Sequence, residues 1–257
     1  MSIYSIPGFT HPVSSLTHLL GAGIFALLAI PLWRRCPTRS CRCTTAIFSL
    51  TVVFLLSMSG VYHLLGTDGT AHRVLQRLDH AAIFALIAGS FTPLQLGFFH
   101  SGWARWGVLL LVWSLTTTGI VLKVIFFDAI PEWLGLTLYL GLGWIGLGSG
   151  IALAHRHGFS FIRPLVYGGL AYTLGGIADF SQWPELIPGV LGPHELLHVG
   201  VLLGIGGFWW FFYREVSAIP CLLAVPQRTT RGTSSPTAQS QTHDCYGPHP
   251  YPGCSDA

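Results

Sequence analysis

Residues 194–198 read His-Glu-Leu-Leu-His, so two imidazoles stand four positions apart. On a helix this spacing puts both on one face, able to reach the same ion. The string also spells HExxH, in which zinc proteases use the glutamate as general base. A third histidine, His63, closes an earlier apolar stretch, with Ser59 one turn before it in "SMSGVYHLLG". Asp79 and His80 open the next stretch in "RLDHAAIFALIAGSFTP". Three histidines and a water make a tetrahedral zinc site with one open position. Bound zinc lowers the pKa of water from about 15.7 to about 7. Asp79 would then have a proton to accept, and the Ser59 hydroxyl a developing oxyanion to hold.

These residues can meet only if the elements carrying them end in one layer. The composition says what those elements are. Apolar residues make up 51% of the 257 and charged residues 9%, against about 25% charged in soluble domains. A bilayer-spanning helix takes roughly 20 apolar residues. Seven such runs are legible, at about 13–33, 44–66, 79–99, 104–126, 133–154, 161–180 and 193–214. The expected fold class is therefore all-α, a seven-transmembrane helix bundle over residues 1–215. The rest, 216–257, is rich in Ser, Thr, Pro and Gly and is expected as a disordered tail. The start lacks a basic n-region, so the first span is expected to be retained rather than cleaved.

Alternation of seven spans assigns each residue to a membrane face. With the N-terminus on face A, the end of span two, the start of span three and the start of span seven all lie at A. This gathers Ser59, His63, Asp79, His194 and His198 in one layer. His63, His194 and His198 become the metal ligands, Zn2+ the expected cofactor, and Asp79 and Ser59 the catalytic candidates. The net charge is +3. Arg34, Arg35, Arg39, Arg42, Arg105, Arg156, Arg163 and Arg214 fall near face B, against Arg73, Arg77 and Lys123 near face A. By the positive-inside rule, face B is cytoplasmic.

Other polar residues have simpler expected roles. His18, which follows Thr17 in span one, and His80 are expected to hydrogen-bond between packed helices. Asp179 is expected as a solvated helix end, and His155 and His157 as interfacial. Trp209, Trp210 and Tyr213 read as an interfacial aromatic belt. The glycines of "GLGWIGLGSG" allow close helix packing. Cys36, Cys41 and Cys43 share one Arg-rich loop without a second ligand pair and are expected as free or redox-labile thiols. Glu195 is expected as a helix N-terminal acid, stabilised by the dipole, rather than a protease base.

Taken in order on spans two, three and seven, "SMSGVYHLL", "RLDHAAIFALIAGSFTP" and "HELLHVGVLLG" resemble the haemolysin III proteins. These belong with the progestin and adipoQ receptors (PAQR) and are more distantly related to the alkaline ceramidases. The resemblance extends to about residue 215 and includes "THLLG" on span one. It implies a zinc ion held by His63, His194 and His198, a water-associated aspartate at Asp79, and a family serine at Ser59. It also implies hydrolysis of a lipid amide, such as that of a ceramide. A metal-dependent hydrolase of a membrane lipid is thus the leading expectation. A ligand-sensing receptor with structural zinc, a cytolytic pore and an intramembrane metalloprotease are the alternatives. The expected partner is a membrane lipid, with no nucleic acid, and a homo-oligomer is left open.

Overall fold

The computed structural model describes residues 11–65, 69–100 and 102–218. The expected tail, 216–257, lies outside them except for the turn Val216–Ala218. Helices follow one another with short connections: α1 Pro12–Arg35, α2 Arg39–Leu64, α3 Thr70–Phe98, α4 Val108–Ile125, α5 Glu132–Trp144, α6 Gly146–His157, α7 Phe159–Ser181 and α8 Pro193–Glu215. A π turn, Trp103–Gly107, leads into α4. No strand occurs among the described residues, only an isolated bridge between Ile187 and Leu191.

Local chemistry sets the helix ends. Pro12 and Pro193 occupy first turns, where a missing N–H leaves nothing unpaired. Thr38 caps α2, its hydroxyl accepting from the Cys41 N–H at 3.2 Å. Gly158, at φ 84°, makes the break between α6 and α7 that a side chain would strain. Gln182, at φ 53°, closes α7 in the left-handed conformation, and the Trp183 N–H reaches back to the Ala178 carbonyl at 3.2 Å.

Among the described residues, six helical stretches are long and apolar enough to cross a membrane: α1, α2, α3, Trp103–Ile125, Trp133–His157 and α8. The sequence predicted seven. The difference is α7, which has 23 residues but whose glycines, tyrosines and serines dilute its hydropathy. Two further boundaries differ. The third span starts at Thr70 rather than about 79, because the polar stretch "TAHRVLQR" is helical without being apolar. The fifth is divided at Ile145 into α5 and α6.

The polarity of the molecule is inverted relative to a soluble domain. Large apolar side chains face outward along the bundle, among them Leu20, Leu27, Leu50, Leu110, Leu174 and Leu203. Ser15, His18, Thr45, Ser59, Gln95 and Thr116 are buried inside. Only a hydrocarbon surround favours that arrangement. The chain is a multi-pass integral membrane protein. Two apolar cores hold it together. One joins α1, α2, α3, α7 and α8 around Phe48, Phe98, Phe211 and Phe212. The other joins α3, α4 and α5 around Phe84, Phe91, Val112 and Leu142.

The α1–α2 turn corrects one expectation. Cys36 and Cys41 are paired as a disulfide, with their Cα atoms 5.4 Å apart, and only Cys43 of that loop is free. The tight turn brings the two cysteines together, and both are buried.

Candidate metal centre

The start of α1 closes over the end of α2. The His11 backbone N–H donates to the His63 carbonyl at 3.1 Å, and the Ser15 hydroxyl donates to the Gly60 carbonyl at 2.8 Å. The His63 carbonyl belongs to the last turn of α2, which has no intrahelical donor for it, while the Gly60 carbonyl takes the Ser15 hydroxyl as a second donor. His63 is thereby fixed with its ring turned inward and only 6% of the residue exposed. From α8, His194 and His198 face it from successive turns. The three rings lie 4.8–4.9 Å apart between centroids. Nε2 of His194 stands 3.2 Å from Nε2 of His63 and 3.1 Å from Nε2 of His198.

Donor chemistry shows why a cation fits here. The Nδ1 of His194 lies 2.9 Å from Oδ1 of Asp179 on α7. A carboxylate only accepts, so Nδ1 carries the proton and Nε2 of a neutral ring is left with one lone pair. Two other ring nitrogens approach that single lone pair. A metal ion at the centre satisfies all three nitrogens at once. Among the described residues, His63, His194 and His198 form a cluster that can hold a metal ion. The Asp179–His194 pair has the form of the carboxylate–histidine–metal relay that orients metal-binding imidazoles.

Asp179 was expected as a solvated helix end, and this pairing is what sequence reasoning missed. Its position at the face A end of the sixth span put it in the right layer, but its residue type alone did not point it at His194. His11 was also missed. Its ring meets His63 edge-on at 5.5 Å and His194 at 6.3 Å. Burial, reinforced by the neighbouring His194, pushes its imidazole below the ordinary pKa.

Ser59 is buried one turn before His63 and neighbours Asp79. The Asp79 side chain is 14% exposed, with Oδ2 3.9 Å from the His80 ring. The His80 Nδ1 is 2.8 Å from the Gln76 carbonyl within its own helix, and Tyr139 from α5 donates to the His80 carbonyl at 3.2 Å. His18 packs its ring 3.9 Å from that of His198, with Nε2 3.4 Å from the His198 carbonyl. Glu195 is turned away from the cluster. Its Oε2 accepts from the Gly192 N–H at 3.1 Å, and its Oε1 from the Ser14 hydroxyl at 3.1 Å. The first of these contacts is the reach-back half of a capping box.

Comparison with known proteins agrees with the resemblance carried by these residues. The chain is 34% identical over 143 residues to the hemolysin-3 homolog of Bacillus subtilis (strain 168), covering 54% of this chain and 63% of that protein. It is 28% identical over 201 residues to hemolysin-3 of Bacillus cereus, covering 74% of this chain and 84% of that protein. The family model described as haemolysin-III related matches residues 9–209, a range that includes His63, His194 and His198. The chain belongs to the haemolysin-III related family.

Proposed function

We propose that this protein crosses the membrane seven times, holds zinc on His63, His194 and His198, and hydrolyses the amide bond of a membrane lipid. The convergence of three Nε2 atoms, backed by one carboxylate and flanked by a second, carries the reading. A tetrahedral zinc site with Zn–N bonds of about 2.0–2.1 Å has ligand–ligand edges of about 3.3–3.4 Å. The two short nitrogen separations, 3.2 and 3.1 Å, fall close to that edge.

The seventh crossing is α7. Phe161, near its start, packs against Phe211 near the end of α8, with centroids 5.3 Å apart. Asp179, near its end, meets His194 at the start of α8. The helix therefore runs the length of an apolar spanning neighbour. Tyr167, Leu170, Leu174 and Ile177 form an exposed apolar stripe along it, suited to lipid.

When bound, zinc would polarise the substrate carbonyl and supply an activated water. Asp79 takes the proton released as water adds to the amide carbon. It returns that proton to the nitrogen as the C–N bond breaks, leaving a fatty acid and an amine. Ser59 orients the Asp79 carboxylate with its single O–H and, once Asp79 has taken the proton, is released to donate toward the oxyanion. Asp179 keeps the His194 tautomer that leaves Nε2 free for the metal. Glu195 takes no part, because both its oxygens are occupied by Ser14 and Gly192. That occupation speaks against an HExxH protease.

The test is fatty-acid release from N-acyl lipids such as a ceramide by purified, zinc-loaded protein in lipid. Asp79→Asn is expected to slow release by roughly 10²–10⁴-fold, the usual worth of a general base, with zinc content unchanged. Zinc-loaded protein that cleaves no N-acyl lipid, and loses only stability when the metal is removed, would support a receptor with structural zinc instead.

A further inference from the structure

A fourth imidazole stands at the metal centre and has no task in the mechanism above. His11 immediately precedes α1 and is tied to the elements that carry the site. Its N–H donates to the His63 carbonyl at 3.1 Å, and its own carbonyl accepts from the Ser15 N–H at 3.0 Å. Its ring centroid is 5.5 Å from that of His63 and 6.3 Å from that of His194. Its Nδ1 is buried and has no hydrogen-bond partner among the described residues.

Buried ring nitrogens are seldom left unpaired, since each forfeits its hydration without return. The spacing separates two roles for this one. The three clustered rings sit 4.8–4.9 Å from one another, as ligands of one ion do. His11 stands farther out and its nitrogens fall outside the cluster of ligand atoms. It is a neighbour of the site rather than a member of the set.

We propose that His11 is a positioning residue of the metal centre, its Nδ1 hydrogen-bonding the small ligand that occupies the fourth coordination position. The inference rests on the reading that His63, His194 and His198 hold a metal ion. It gives the orphan nitrogen a partner and fixes the direction from which a water, an anion or a substrate carbonyl binds.

Cobalt(II) in place of zinc makes the fourth position visible in the absorption spectrum, and azide serves as the probe. The full chain, His11→Phe and His11→Gln are loaded with cobalt and titrated with azide. Equal cobalt content is expected in all three. Azide is expected to bind roughly tenfold more weakly to His11→Phe, the loss of one hydrogen bond to a charged ligand. His11→Gln, which keeps a donor, is expected to recover most of the affinity. X-ray absorption is expected to count three imidazoles on the metal in the wild type and in His11→Phe. Azide affinity unchanged in His11→Phe would overturn the proposal. So would a count of four imidazoles that falls to three in that variant, which would make His11 a direct ligand. Protein that takes up no cobalt in any form would instead refute the metal reading on which the proposal stands.

Discussion

His194 is the residue on which the centre turns. It is the ring that both other imidazoles approach, and the one whose far nitrogen meets a carboxylate 2.9 Å away. On the proposed reading, Asp179 acts on a bound metal through that ring, by fixing its tautomer and raising its basicity. Asp179→Asn should therefore leave the three ligands in place and weaken zinc binding by about 10–100-fold, the usual effect of losing such a partner. Chelator competition measures it, and equal affinity in the two proteins would remove Asp179 from the centre. Acid should release the ion as well. Each imidazole binds metal only when neutral, so protons compete with zinc. Retention is expected to be complete well above the ordinary histidine pKa of about 6.5 and to fall as the pH drops through and below it. Zinc that stays bound at pH 4 would argue against histidine ligands.

At the scale of elements, the seam between α7 and α8 decides whether Asp179 reaches His194. The two helices meet glycine to backbone. A Cβ added at Gly200 would lie 2.7 Å from the Ala171 carbonyl oxygen and 3.1 Å from the Gly175 Cα. Backbone cannot swing aside as a side chain can. Gly200→Val should push the helices apart, lowering stability by about 1–3 kcal/mol and weakening zinc retention with it. Gly206→Ala is the control, since nothing lies within 4 Å of its added carbon and helix propensity alone predicts a gain of about 0.5–1 kcal/mol. Thermal unfolding in detergent, paired with metal analysis, measures both. If the Gly200 variant loses stability but keeps its zinc affinity, the seam does not hold the site.

The same elements explain what could be read in advance. The layer that joins residues 63 and 194–198 follows from counting apolar runs, and a coarse count tolerates boundary errors of several residues. The partner of His194 does not follow from it. Asp179 reads the same whether a helix end points at water or at a neighbour, and the choice lies in the left-handed closure at Gln182. Hydropathy likewise located the membrane part of α3 but not its polar first turns. It ran across the division at Ile145, because the residues on either side of it, "GLGW" and "GLGSGIALA", are apolar or small. The Cys36–Cys41 pairing depends on how tightly the α1–α2 turn closes, which residue types alone do not specify.

For the whole molecule, orientation decides which side of the membrane the centre faces. The metal-site end of the bundle carries few arginines, and the opposite end carries a cluster of them. Several of these lie over aromatic rings at the interface, as Arg35 does over Tyr213 at 4.4 Å and Arg42 over Trp33 at 4.9 Å. The positive-inside rule predicts a cytoplasmic arginine-rich end and an outward-facing site. Cys43 is free and exposed at the arginine-rich end, and Glu185 is exposed in the α7–α8 connection at the other. In otherwise cysteine-free proteins on intact cells, an impermeant maleimide should label Glu185→Cys and spare Cys43. The reverse pattern would turn the molecule over and place its chemistry on the cytoplasmic side.

All of this depends on three side chains from two helices sharing one ion. Elemental analysis of the purified full chain, beside His63→Ala and His198→Ala, tests that most directly. About one zinc per chain is expected in the wild type, falling to a small fraction in either variant, as a site with one of its three protein ligands removed should. A wild-type protein without bound metal, or a His63→Ala variant that keeps its full complement, would contradict it.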